Sequence, residues 1–94
     1  MEKEIEHVMW LILSKLIRMG KIGGAHTEID NLYKGLPGHF KSSNQGMKKI
    51  QAAVKKLFTK EFLLQKPSTG EIHVSINPRK IKEIMEFLEI NKLG

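Results

Sequence analysis

Apolar side chains in this chain recur at the helical period as far as Lys60 and at the period of a strand from Phe62 to Ile76, and this switch restricts the fold more than any other feature. Helical patterns come first, a hairpin follows, and a helical pattern returns, which makes the fold class α+β. With 94 residues the chain can support one core only, because a domain of this size buries roughly 60–65% of its unfolded surface. Residues 1–94 are therefore read as a single domain. Cysteine is absent, so disulfides, thiolate chemistry and cysteine-ligated metals are excluded together. The longest apolar run, residues 8–13, is far short of the ~20 residues a membrane span needs. Glu2, Glu4 and Glu6 replace the basic start of a signal peptide. These features point to a cytoplasmic protein with no membrane partner.

The first helix, over residues 4–20, carries Ile5, Val8, Met9, Ile12, Leu16 and Met19 on one face, with Gly20 as its C-terminal cap. Trp10, Leu13 and Ile17 form a second apolar strip that needs a partner. Thr27 and Asp30 have the spacing of a capping box that opens a short helix, with Ile29, Leu32, Tyr33 and Leu36 inward and Gly35 and Pro37 as its stop. The segment 35–41 reads as a packed loop anchored by Phe40.

Ser42, Ser43 and Asn44 are good N-caps, Ser42 and Gln45 have capping-box spacing, and the clearest helical period of the chain runs from there to Lys60. The inward set is Met47, Ile50, Val54, Leu57 and Phe58; the outward set is Gln45, Lys48, Lys49, Ala52, Lys55, Lys56 and Thr59. Residues 62–65 and 72–76 read as two strands, with Pro67-Ser68-Thr69-Gly70 as the turn. Asn77 then caps a last helix with Pro78 at its first position and Ile81, Ile84, Met85 and Leu88 as its buried stripe.

The net charge of +6 is localised. Seven lysines, Lys34, Lys41, Lys48, Lys49, Lys55, Lys56 and Lys60, lie in residues 31–60 without a single Asp or Glu, while the other nine basic residues are balanced by all ten acidic ones.

This order of elements resembles the winged-helix members of the helix-turn-helix class. The resemblance covers essentially the whole chain. It is carried by Ser42-Ser43-Asn44-Gln45-Gly46-Met47-Lys48-Lys49-Ile50 through Leu57-Phe58-Thr59-Lys60-Glu61-Phe62-Leu63-Leu64, and then by Thr69-Gly70-Glu71-Ile72-His73-Val74-Ser75-Ile76. It implies a three-helix core, a two-stranded β-hairpin wing and an additional C-terminal helix. It also implies duplex DNA as the partner, with the third helix in the major groove. Other members of the class are protein-interaction modules, so the surface has to decide.

On that reading Ser42, Ser43, Asn44 and Gln45 reach base edges or phosphates, and Lys41, Lys48 and Lys49 hold the register. Gly46 and Ala52 would let the backbone come close. Lys55, Lys56 and Lys60 lie further along, where a phosphate contact and an ordinary solvated face are equally good explanations. Residues 31–60 hold no arginine, the usual reader of guanine, so sequence selectivity is expected to be modest. The wing, with Lys66, Glu71, Ser68, Thr69 and Gly70, is weakly charged and reads equally well as a structural hairpin.

His7, His26, His39 and His73 have no metal-ligand spacing, and no nucleophile–base set or phosphate-cradling loop is visible. No metal, cofactor, small-molecule substrate or enzymatic activity is expected. The spare strip Trp10, Leu13 and Ile17 and the spare residues Phe87, Ile90 and Leu93 either cover each other in one monomer or meet across a two-fold axis. The expectation leans to a homodimer through Trp10, Leu13, Ile17 and Phe87, which would set two recognition helices on adjacent half-sites. The leading function is double-stranded DNA binding by a transcription regulator or chromosome-associated protein. The alternative is an interaction module that docks through the apolar first helix. RNA is disfavoured because the hairpin lacks exposed aromatics to stack bases.

Overall fold

A computed structural model describes residues 2–68 and 70–92. The first helix, α1 (Glu2–Arg18), ends in a left-handed glycine, Gly20, with φ 71°. The Lys21 amide donates to Leu16 O and the Gly20 amide to Ile17 O, a paired closure that satisfies the last carbonyls of the helix.

The next element departs from expectation. Thr27 and Glu28 form a two-residue strand, β1, and Glu28 is the N-cap of α2 (Ile29–Lys34), with no side-chain cap. Thr27 does not cap α2: its backbone pairs with Val74 and its hydroxyl accepts from the Asn31 side-chain Nδ2 at 3.0 Å. Leu32 and Leu36 are buried and Ile29 and Tyr33 partly so, which matches the inward set. The expected loop contains a helical turn, α3 (Gly38–Lys41), which directs Phe40 into the core.

Helix α4 (Asn44–Thr59) is capped by Ser43, whose hydroxyl accepts the Gly46 amide at 3.0 Å. The Ser42–Gln45 capping box does not form, since Ser42 closes α3 instead. At the other end Glu61 adopts φ 63°, and the Glu61 and Phe62 amides donate to Phe58 O and Leu57 O. The same closure as at Gly20 is thus made by a residue with a side chain.

Strands β2 (Leu63–Ser68) and β3 (Glu71–Ile76) are longer than the pattern suggested and pair antiparallel, Leu63 opposite Ile76 and Ser68 opposite Glu71. Pro67 belongs to β2 and not to the turn; with the strand order β1-β3-β2 it sits on an edge, where a missing donor is tolerated. The turn residue Thr69 lies outside the described residues. Asn77 accepts the Arg79 amide, as expected of a cap, and Pro78–Lys80 form a 3-10 turn leading into α5 (Ile81–Ile90).

One core joins α1, α2, α3, α4, the sheet and α5. Its second strip on α1 is covered from within the chain: Leu13 is fully buried, Ile17 half-buried, and the Trp10 indole donates to Leu88 O at 2.9 Å. On α5 the buried side is Ile84 with Ile81, Phe87 and Leu88, and Phe87 meets Phe62 edge-on at 6.2 Å. Met85, expected inside, is 51% exposed, and Phe87 takes the inner place. Leu93 lies outside the described residues. Among those residues no helix is long and apolar enough to cross a membrane.

Candidate nucleic-acid interface

The candidate surface is the outer side of α4, and the rotation of that helix about its axis decides which side chains face solvent. Its fully inward residues are Gly46, Ile50, Ala53 and Leu57. Compared with the expected set centred on Met47, Ile50, Val54, Leu57 and Phe58, the buried side is turned by about 60° at 100° per residue. Two small residues allow this. A Cβ on Gly46 would collide with the backbone of Phe40, so the glycine lets α3 lie directly on α4. Its smallness serves that contact and not the approach of a ligand.

The rotation changes the outward set. Asn44, Lys48, Gln51 and Lys55 follow one another at intervals of four, three and four residues, and all four are exposed. Gln45 and Thr59 are exposed beside them, with half-buried Ala52 on the same side. Gln51 was absent from the sequence reading because the expected phase put it at the margin of both faces. The side chains of Asn44, Gln45, Lys48, Gln51 and Lys55 make no hydrogen bond or ion pair among the described residues.

Lys49 has a different fate from its neighbour. Its ammonium donates to Glu4 Oε1 at 2.6 Å, tying α4 to α1, and only 19% of its side chain is exposed. This hydrogen bond and the charge of Lys49 hold the Glu4 carboxyl below its ordinary range. Lys56, on the same flank, is half-buried. Lys41 is exposed and reaches back to Lys34 O at 3.3 Å. Ser42 is exposed, its hydroxyl 3.5 Å from His39 O, whereas the Ser43 hydroxyl is engaged as the cap. Lys60 lies 5.9 Å from the centre of the Phe62 ring, a cation–π contact near the end of the helix.

Two open hollows meet at Ala52. One, of about 430 Å³, is lined by Ile5, Gln45, Lys48, Lys49 and Ala52; the other, of about 460 Å³, by Ala52, Lys55, Lys56, Thr59 and Lys60. Each has cationic walls and the small Ala52 side chain at its edge.

The hairpin is arranged otherwise. His26 and His73 approach with their Nδ1 atoms 2.9 Å apart, one ring donating to the other, and His73 Nε2 lies 3.5 Å from Glu71 Oε1. A hydrogen bond between the Glu28 and Glu71 side chains, with partial burial and the charges of Glu71 and Asp30, raises the Glu28 carboxyl above its ordinary range. The sequence offered no signal for this cluster, because its members meet only through the pairing of Glu28 with His73 across β1 and β3. Among the described residues no group of three or more His, Asp or Glu side chains is placed to hold a metal ion.

Of the four residues expected at a dimer contact, Leu13 is fully buried in the core of a single chain, Ile17 and Phe87 pack against it, and half-buried Trp10 donates to Leu88 O. No protein-family profile, curated protein or solved structure matches the chain.

Proposed function

We propose that the protein is a winged-helix domain that binds double-stranded DNA, as a transcription regulator or chromosome-associated protein, with the outer side of α4 in the major groove. The order α1-β1-α2-α4-β2-β3 and the sheet order β1-β3-β2 support the fold assignment, with β2 and β3 as the wing and α3 and α5 as additions. The observation that carries the function is the stripe Asn44, Lys48, Gln51 and Lys55, exposed on a helix without acidic residues. Such a stripe combines point charges for phosphates with amides for base edges or the backbone. Lys48 and Lys55 grip phosphates, Asn44 and Gln45 sit at the amino end of the helix where its dipole favours an anion, and Lys41 and Ser42 add contacts ahead of it. Lys49 and Lys56 flank the groove, and Lys49 must leave Glu4 before it can join.

The interaction-module alternative required an unpartnered strip on α1, whereas Leu13 is buried in the core, Ile17 packs against it and Trp10 is bonded to Leu88 O of α5. The same covering removes the driving surface for a dimer through Trp10, Leu13, Ile17 and Phe87, so we take one copy as the binding unit.

Electrophoretic titration of unrelated duplexes at two salt concentrations tests the reading. With about four to six phosphates neutralised, log K falls against log salt with a slope of roughly −4 to −5. Failure to shift any duplex at low salt, or affinity indifferent to salt, overturns it.

A further inference from the structure

We propose that Gln51 is a specificity-determining residue, and that the site preferred by α4 carries an A·T pair whose adenine is read by the Gln51 amide while its thymine methyl rests on Ala52. The inference depends on the DNA-binding reading above and adds to it a base identity.

The side chains of α4 narrow the choice. Guanine is read by arginine or lysine and cytosine by a carboxylate; α4 contains neither arginine nor acid, and its exposed lysines Lys48 and Lys55 are assigned above to phosphates. Adenine is read through N6 and N7 by the paired donor and acceptor of an asparagine or glutamine amide. Asn44 and Gln45 lie in the first turn, beside free backbone amides that suit a phosphate. Gln51 stands at mid-helix, where all backbone amides are used, three residues after Lys48 and four before Lys55. With those two cations on the phosphates, base edges are what its amide can reach. It is exposed and has no side-chain partner to give up, in contrast to Lys49.

The next residue supplies the other half of the pair. Ala52 is a methyl group at the junction of the two hollows, and Ile5 of α1 extends its apolar surface in the first. An apolar patch among lysines suits the C5-methyl group, which thymine alone presents in the major groove.

The test is selection from a random duplex library with the whole chain, followed by titration of the enriched duplex. Wild type is expected to enrich A·T at one position. Gln51→Ala loses that enrichment. Replacing the selected adenine with 7-deazaadenine, which lacks N7, weakens wild type by about tenfold and leaves Gln51→Ala indifferent. Gln51→Glu moves the preference from adenine to cytosine, whose N4 amino group donates to a carboxylate. Circular dichroism confirms that each variant retains the fold. Salt-dependent binding without an A·T position that Gln51→Ala removes overturns the inference and leaves DNA binding standing. Failure to retain any duplex overturns both.

Discussion

The outer side of α4 and the β1–β3 edge of the sheet are both polar, yet their charges are disposed in opposite ways. On α4 the cations of the stripe stand apart from any acid, and Lys48, Gln51 and Lys55 have no partner among the described residues. At the sheet edge the polar groups engage one another: His26 meets His73 and His73 meets Glu71, while Glu71 raises the neighbouring Glu28 carboxyl. A surface that has met its own hydrogen bonds gains little from a ligand, and carboxylates repel phosphate. A polyanion should therefore lie on α4 and avoid that edge.

The strongest way to break this contrast is charge reversal on each side. Lys48→Glu combined with Lys55→Glu is expected to weaken duplex binding by about a hundredfold or more at moderate salt, with the melting temperature little changed. Glu71→Lys at the sheet edge should leave affinity the same or raise it slightly. Equal losses from both, read by electrophoretic titration, would abolish the distinction. Next in size, Gly46→Ala drives a methyl group into the Phe40 backbone and should destabilise the protein by about 1–3 kcal/mol in urea unfolding. Its residual folded fraction should bind DNA normally, because Gly46 faces α3 and not the groove.

Replacing Glu61 by glycine relieves a left-handed backbone and should stabilise by about 1 kcal/mol, a shift of several degrees in melting temperature. The smallest effect concerns one carboxylate from each region. Glu4 is lowered by Lys49, so its contribution to stability is present above the ordinary carboxyl value of 4.5 and is lost as pH falls through its own lower value. Glu28 is raised, chiefly by Glu71, so its contribution is present below 4.5 and is lost as pH rises through its higher value. In melting curves across the acid range, Glu4→Gln should flatten the decline toward low pH. Glu28→Gln should instead help most near neutrality.

The long elements were legible because each carries several turns of repeated pattern. Helix α1, its Gly20 closure, the cap by a serine at the start of α4 and the hairpin all follow from residue type and spacing. The rotation of α4 was not. Large apolar residues suggest a centre near Met47 and Val54, but Gly46 lies against the Phe40 backbone, where only a small residue fits, and Ala53 is buried on the same side of the helix. The rotation brings Gln51 to the outer side and turns Lys49 toward Glu4 of α1. Strand β1 could not be read either, because two residues have no period and its partner lies more than forty residues away in sequence. Met85 and Phe87 exchanged roles on α5 because Phe62, on a different element, offered the aromatic contact.

Asn77 fastens a corner of the molecule. Its side-chain Nδ2 donates to Glu61 O at 2.8 Å, its backbone amide to Phe62 O at 2.9 Å, and its side-chain Oδ1 accepts the Arg79 amide. The end of α4, the start of β2, the end of β3 and the approach to α5 therefore share one anchor. The hairpin and α4 are thus tied at one point, and any partner that touches both would meet a pair whose relative placement is set in advance, with less motion to freeze on association.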